Sequence, residues 1–287
     1  YMHYIIVMVK IVTDSSTLYS SEQGREKGIN VVPLHVSVGG KSYKDLDELT
    51  GMVLIDLIKE GLIPQSSQPS IGEKIETYNK LAKDDEIIDI AMAGGLSGTY
   101  NSALTAKETC DYPSKVHVID SYTLCGPHRL IVDTAKQMAD EGKSADEILK
   151  MVEYARDHEH SYLVPIDFDF LERGGRVKGF VAKIGGLLKL TPVMRKCEKG
   201  QGLEKFHVAR TSKKACSEII GDLLKKHVDS TYRFSVSHAD NKEMADLFVA
   251  KLKETFDGCV VDEYELSASF ITQGGPGCVA LQCVKIG

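Results

Sequence analysis

One stretch constrains the fold more than any other: an apolar run at 87–92, then Gly94-Gly95-Leu96-Ser97-Gly98-Thr99-Tyr100-Asn101-Ser102-Ala103. The run is short and bounded by turn residues, so it reads as a buried strand. The residues after Gly98 continue as a helix through Leu104, Ala106 and Lys107. Strand, glycine turn and helix in that order make a βα unit. The first amides of a helix have no internal partners, and the helix dipole favours negative charge there. Glycines let the backbone approach a ligand closely. The same residues also serve a plain helix start with Ser97 as N-cap, and the segment alone leaves both readings open.

The unit repeats. Strands are expected at 10–13, 30–38 and 116–119, and helices at 51–60, 72–82, 130–140 and 145–157. Asp14-Ser15-Ser16-Thr17 reads as a helix cap, and Ser66-Ser67-Gln68-Pro69-Ser70 as a polar loop. Such alternation implies a parallel sheet covered by helices on both faces. Ligands then bind beyond the carboxyl ends of the strands. Four polar turns fall at that edge: Asp14-Ser15, the Ser66 loop, the Ser97 loop and Asp120-Ser121. The pattern changes near Pro165. Strands at 191–197, 203–208, 232–237, 259–266 and 279–286, with helices at 213–227 and 242–256, suggest a smaller α+β domain.

The net charge of −6 argues against a general nucleic-acid binder. No apolar run approaches the roughly 18 residues of a membrane span. Residues 1–7 lack a basic flank and a small-residue cleavage site, so they read as an upstream extension before a first strand near Met8, not as a signal peptide. The seven cysteines are scattered and form no C-x-x-C, which fits reduced cytosolic thiols. His158 and His160 read as a solvated helix end, not as metal ligands. Residues 173–197 carry seven Lys or Arg and no Asp or Glu. That run reads either as a solvated patch or as a docking surface for an anionic headgroup or partner.

Common catalytic signatures are absent. There is no G-x-x-x-x-G-K-[ST], no G-x-G-x-x-G after a strand and no G-x-S-x-G. His117 reads as structural, and His238 as a turn histidine with a functional role as the alternative.

Six motifs, in order, carry a resemblance: Val12-Thr13-Asp14-Ser15, Ser66-Ser67-Gln68-Pro69-Ser70, Leu96-Ser97-Gly98-Thr99-Tyr100, Ile119-Asp120-Ser121, Gly174-Gly175-Arg176 and Gly275-Pro276-Gly277. Together they resemble the DegV family of bacterial lipid-binding proteins, which includes the fatty-acid-binding subunit of fatty acid kinase. The resemblance implies an α/β fold of two domains. The first, 8–166, is an α/β/α layer with a parallel sheet; the second, 167–287, is a two-layer α/β with a mixed sheet. It also implies a cytoplasmic, non-catalytic protein without cofactor or metal. Such a protein binds one long-chain fatty acid in a tunnel and presents its carboxylate to a partner kinase for acyl phosphate formation, with transient membrane contact. The ligand-binding positions it implies are Ser66, Ser97, Gly98 and Gln273; the partner-binding positions are Arg176 and Arg210. Two departures stand out. Gln273 replaces a family histidine and cannot become a cation, and Ala91-Met92-Ala93-Gly94-Gly95 lacks the serine pair of many relatives. Phe180, Ile184, Leu187 and Leu188 are candidates for the tail lining. Each buried methylene contributes about 0.8 kcal/mol, so the tail supplies most of the affinity and the head sets register. The alternatives are an acyl or phospho-ester hydrolase with Ser97 as nucleophile, and a lipid sensor without kinase coupling.

Overall fold

Alternation along the first strands decides the layering. In β1 (Val9–Asp14), Ile11 and Val12 point to opposite faces. Ile11 joins one apolar cluster and Val12 another. The computed structural model describes residues 8–178 and 190–287. After β1 come α1 (Ser21–Glu26), β2 (Asn30–Val32), β3 (His35–Val38), β4 (Lys41–Lys44), α2 (Gly51–Lys59), β5 (Gln65–Ser67), α3 (Ile71–Ala82) and β6 (Glu86–Ala91). Then follow α4 (Thr99–Thr109), β7 (Val116–Asp120), α5 (Cys125–Asp140) and α6 (Ala145–Asp157). Strands β2-β1-β6-β7 form a parallel sheet, with Ile11 opposite Ile88 and Ile88 opposite His117. Ile88 and Ile90 pack with Ile131, Val132, Ile148 and Val152 of α5 and α6. Val12 and Ile87 pack on the other face with Tyr78, Ala82 and Ala106 of α3 and α4. This is the three-layer α/β/α domain.

The second domain is a mixed sheet that includes 159–164, so the boundary expected between 166 and 167 falls before Glu159. The domain uses β8 (Glu159–Val164), α7 (Phe168–Gly174), β9 (Thr191–Lys196), β10 (Leu203–Ala209), α8 (Ser212–Lys225), β11 (Arg233–His238), α9 (Lys242–Thr255), β12 (Val260–Glu265), α10 (Ala268–Gly274) and β13 (Val279–Val284). The strand order is β10-β9-β8-β13-β11-β12, antiparallel except for β11 and β12. Helices α8 and α9 cover one face through Ile219, Leu223, Phe248 and Leu252, which pack on Phe234, Val236 and Leu281. The opposite face turns toward the first domain.

Several local expectations change. The strand expected at 30–38 breaks at Pro33, which has no N–H for a ladder. Its second part leaves the parallel sheet for a small antiparallel one, order β4-β3-β5. The loop expected at Ser66 contributes β5 to that sheet, with Ser66 opposite Val36. The Asp14–Thr17 run caps a single 3-10 turn, Ser15–Thr17, and α1 starts later with its own Ser20 capping box. Residues Glu159–Val164 form β8, between β9 and β13, so His160 lies on a strand and not at a solvated helix end. The candidates Phe180, Ile184, Leu187 and Leu188, with Lys183 and Lys189 of the basic run, lie outside the described residues.

One buried ion pair joins α3 to the sheet. Lys74 Nζ lies 2.5 Å from Asp89 Oδ2, and both side chains are fully buried. The Tyr78 hydroxyl donates to the same oxygen. Burial pushes its pKa far up, the Asp89 charge adds to this, and the phenol stays a donor. Removing one partner of such a pair costs about 3–5 kcal/mol, because the other charge stays buried alone. Lys74→Met is therefore expected to lose that much in urea unfolding, and Lys74→Met with Asp89→Leu to recover most of it. A single-variant loss below about 1 kcal/mol would mean that water reaches Asp89.

Candidate functional site

Two carboxylates shape the loop after β6. Asp14 accepts the Ser16 amide at 2.9 Å and the Met92 amide at 3.0 Å, tying the exits of β1 and β6 together. Asp120 accepts the Tyr122 amide at 2.8 Å and the Gly94 amide at 3.0 Å, tying in β7. The loop then presses on the second domain. A Cβ on Gly95 would lie 2.3 Å from Gln201 Cα, so only glycine fits. Ser97, expected as N-cap, comes one residue early: Gly98 is the N-cap of α4 and caps without a side chain. Ser97 Oγ instead accepts the Thr99 amide at 3.3 Å and lies 2.7 Å from Thr99 Oγ1. This local turn closes before the helix begins.

Ser66 reaches the same place from β5, and Gln273 from the end of α10. Gln273 Nε2 donates to Ser66 Oγ at 2.8 Å. The Ser66 hydroxyl proton is thereby left to point at something else. Gln273 Oε1 packs on Gly174, where a Cβ would lie 2.1 Å away. Arg176 Nε donates to Leu96 O at 3.1 Å, and its Nη1 donates to Gly174 O. Ser66, Ser97, Gln273 and Arg176 line one cavity of about 40 Å³. Gly98 stands just behind it, against Gln68, which also lines it. Arg210, by contrast, lies exposed beyond β10.

The small cavity adjoins a second of about 100 Å³, with Met92, Leu96, Arg176, Phe270 and Gln273 common to both. Most of the second lining is apolar and comes from both domains, including Leu124, Leu163, Leu171, Leu203 and Leu266. Sequence reasoning missed Phe270, Ser269 and Leu163 because α10 and β8 were not anticipated. For Leu163 the only signal was a short apolar run, Tyr162-Leu163-Val164 before Pro165; in the structure Tyr162 and Val164 join the core on the opposite face.

Among the described residues, no His, Asp or Glu lines either cavity. Ser97 thus has no general base beside it. The buried serine–histidine contact lies elsewhere: Ser16 Oγ bonds His128 Nδ1, and His128 Nε2 lies 2.9 Å from Ile90 O, with both residues fully buried. His238 is the last residue of β11; its Nδ1 accepts the Asn241 amide at 3.3 Å and its Nε2 lies 3.4 Å from Glu263. Among the described residues, no group of three or more His, Cys, Asp or Glu side chains is placed to hold a metal. Nor is any helix long and apolar enough to cross a membrane. Within the basic run, Arg195 pairs with Glu204 and Asp222, and Lys196 with Glu159, so two of its cations are neutralised internally.

Known proteins match the chain along nearly its whole length. A family model described as "Uncharacterised protein, DegV family" matches residues 8–285. A DegV domain-containing protein of Staphylococcus aureus is 33% identical over 96% of this chain and 98% of its own. One from Listeria monocytogenes is 32% identical over 86% of this chain and 88% of its own. Among solved structures, a DegV family protein from Thermus thermophilus, described for its fatty acid binding, superposes with a TM-score of 0.85. It is 28% identical and covers 98% of this chain and 100% of its own. DegV from Bacillus subtilis, described as a fatty acid binding protein, gives 0.83 at 28% identity, over 97% and 99%.

The helix carrying Gln273 is held by a buried carboxylate. Asp45 accepts Ser15 Oγ at 3.0 Å, Ser267 Oγ at 2.9 Å and the Ser269 amide at 3.1 Å. Burial pushes its pKa up to about 6 from the usual 3.8, against the lowering effect of these donors. The folded state therefore prefers the protonated form. Its contribution is fully present below the unfolded value and is lost as pH rises through about 6. The shift corresponds to about 3 kcal/mol. The difference in unfolding free energy between wild type and Asp45→Asn is expected to fall by about that much from about pH 3 to about pH 8. A difference that stays flat with pH would mean that Asp45 is not desolvated.

Proposed function

The chain belongs to the DegV family, and on that premise we propose that it binds one long-chain fatty acid. The tail occupies the apolar cavity, and the carboxylate meets Ser66, Ser97, Gln273 and Arg176. The observation that carries this reading is the junction of the two cavities. A small polar pocket offers hydroxyls, an amide and a guanidinium, and no carboxylate or imidazole among the described residues. It adjoins a larger pocket with a mostly apolar wall, across shared residues that include Arg176 and Gln273. That is the lining a small amphipathic ligand needs: apolar surface with few placed polar groups. Gln273 supplies no charge where the family histidine would, and the Arg176 guanidinium beside it does. Ser66 accepts from Gln273 and is left free to donate to the ligand.

The protein then acts as a carrier that presents the carboxylate to a partner kinase, with exposed Arg210 as a contact for that partner or for a membrane surface. The neutral Gln273 favours a second reading, a lipid sensor without kinase coupling. Acyl phosphate formed when the loaded protein is mixed with a fatty acid kinase supports the carrier. Arg210→Ala that binds fatty acid normally but halts that reaction supports the contact.

Extraction of the purified protein followed by mass spectrometry is expected to yield one fatty acid per chain. A protein that comes out empty and stays empty when fatty acid is offered sinks the reading. Ser97→Ala removes one hydrogen bond to a charged group, worth about 1.5–3 kcal/mol, so fatty acid should bind roughly tenfold or more weakly. Unchanged affinity would take Ser97 out of the head contact.

A further inference from the structure

The larger cavity has a polar patch far from its head. Cys278, just before β13, and Ala280 and Gln282 on it line the cavity at every second residue. Cys278 lies beside Gly274, next to Gln273. At about 3.3 Å per residue, Gln282 is roughly 13 Å farther along the strand. Ser161, directly opposite Gln282 on β8, also lines the cavity.

The hydrogen bonds here have a direction. Gln282 Nε2 spends its protons on Leu124 O at 3.0 Å and Ser161 Oγ at 2.8 Å. The Ser161 hydroxyl donates to Glu159 Oε1, which also accepts Thr123 Oγ1 at 2.9 Å. Lys196, another lining residue, pairs with Glu159 and donates to Tyr122 O at 2.8 Å. The Leu124 carbonyl requires a donor, so the amide orientation is set by the network. What remains is one acceptor. Gln282 is 2% exposed, and its Oε1 has no hydrogen-bond partner among the described residues. A buried polar group left unpaired is costly, and a leucine at this position would serve a plain hydrocarbon tail better.

We propose that the ligand is an acyl chain carrying a hydroxyl in its distal half, and that this hydroxyl donates to Gln282 Oε1. The inference rests on the fatty-acid reading above. A ketone brings only an acceptor, and the unpaired Gln282 Oε1 is an acceptor too. A second carboxylate would meet Glu159, with Lys196 already neutralised. A hydroxyl supplies the missing proton.

The test uses delipidated full-length protein and three kinds of probe: octadecanoic acid, octadecanoic acids with a hydroxyl at carbon 10, 12 or 14, and the matching oxo acids. At one of these positions the hydroxy acid is expected to bind at least as tightly as octadecanoic acid and tenfold or more tighter than its oxo counterpart. In Gln282→Leu, that hydroxy acid should lose tenfold or more while octadecanoic acid binds undiminished, which also reports that the variant is folded. The wild-type series stands alone if the variant does not fold. Oxo acids that bind as well as hydroxy acids, or hydroxy acids tenfold weaker than octadecanoic acid at every position, overturn the proposal and leave fatty-acid binding intact. Binding of none of the probes removes both.

Discussion

Asp45 holds the two halves of the site in register. Its carboxylate takes hydrogen bonds from Ser15, at the exit of β1, and from Ser267 and Ser269, at the start of α10. Ser267 and Ser269 lie more than 220 residues beyond Asp45 along the chain and Ser15 lies 30 before it, and all three meet on one buried group. Through it, the carboxyl edge of the parallel sheet is locked to the helix that delivers Gln273 to Ser66. A single carboxylate can do this because it has four lone-pair directions and here receives three donors. The cost is desolvation, and the raised pKa of Asp45 records that cost.

With that clasp in place, the division of labour in the cavity follows. The apolar wall provides area, and each methylene removed from water contributes about 0.8 kcal/mol. In the proposed complex the head contacts contribute less, and they set direction. Arg176 has its Nε and one Nη1 hydrogen bond committed to Leu96 and Gly174, so its guanidinium is fixed before any ligand arrives. Preorganised donors lose little entropy on binding. Gly174 matters in the same way, because its missing side chain is the space that Gln273 occupies.

Much of the fold was legible because hydrophobic period is a local property. The runs around Ile87, Val116, Phe234 and Val279 announced buried strands, and the two-domain α/β architecture follows from their order with the helices between. The elements that escaped notice have weak patterns for physical reasons. Gln65–Ser67 forms an edge strand held by backbone hydrogen bonds, without apolar alternation. Ala268–Gly274 is only two turns long and ends in glycine. Glu159–Val164 begins with charged and polar residues whose partners, Lys196, Thr123 and Gln282, are remote in sequence.

The sequence by itself determined the βα alternation, the glycine turn at Gly94-Gly95, the family and the residue types that fall at the carboxyl edge. Only the tertiary structure decided what those residues do to one another. Ser97 moved from helix cap to local turn, and Ser66 gained Gln273 as a donor. Arg176 became part of the cavity wall, and a polar patch emerged at Gln282. The reason is that period and capping act between neighbours in the chain. A binding cavity is made where two sheets meet, and hydrogen-bond direction there depends on partners that no local pattern brings together.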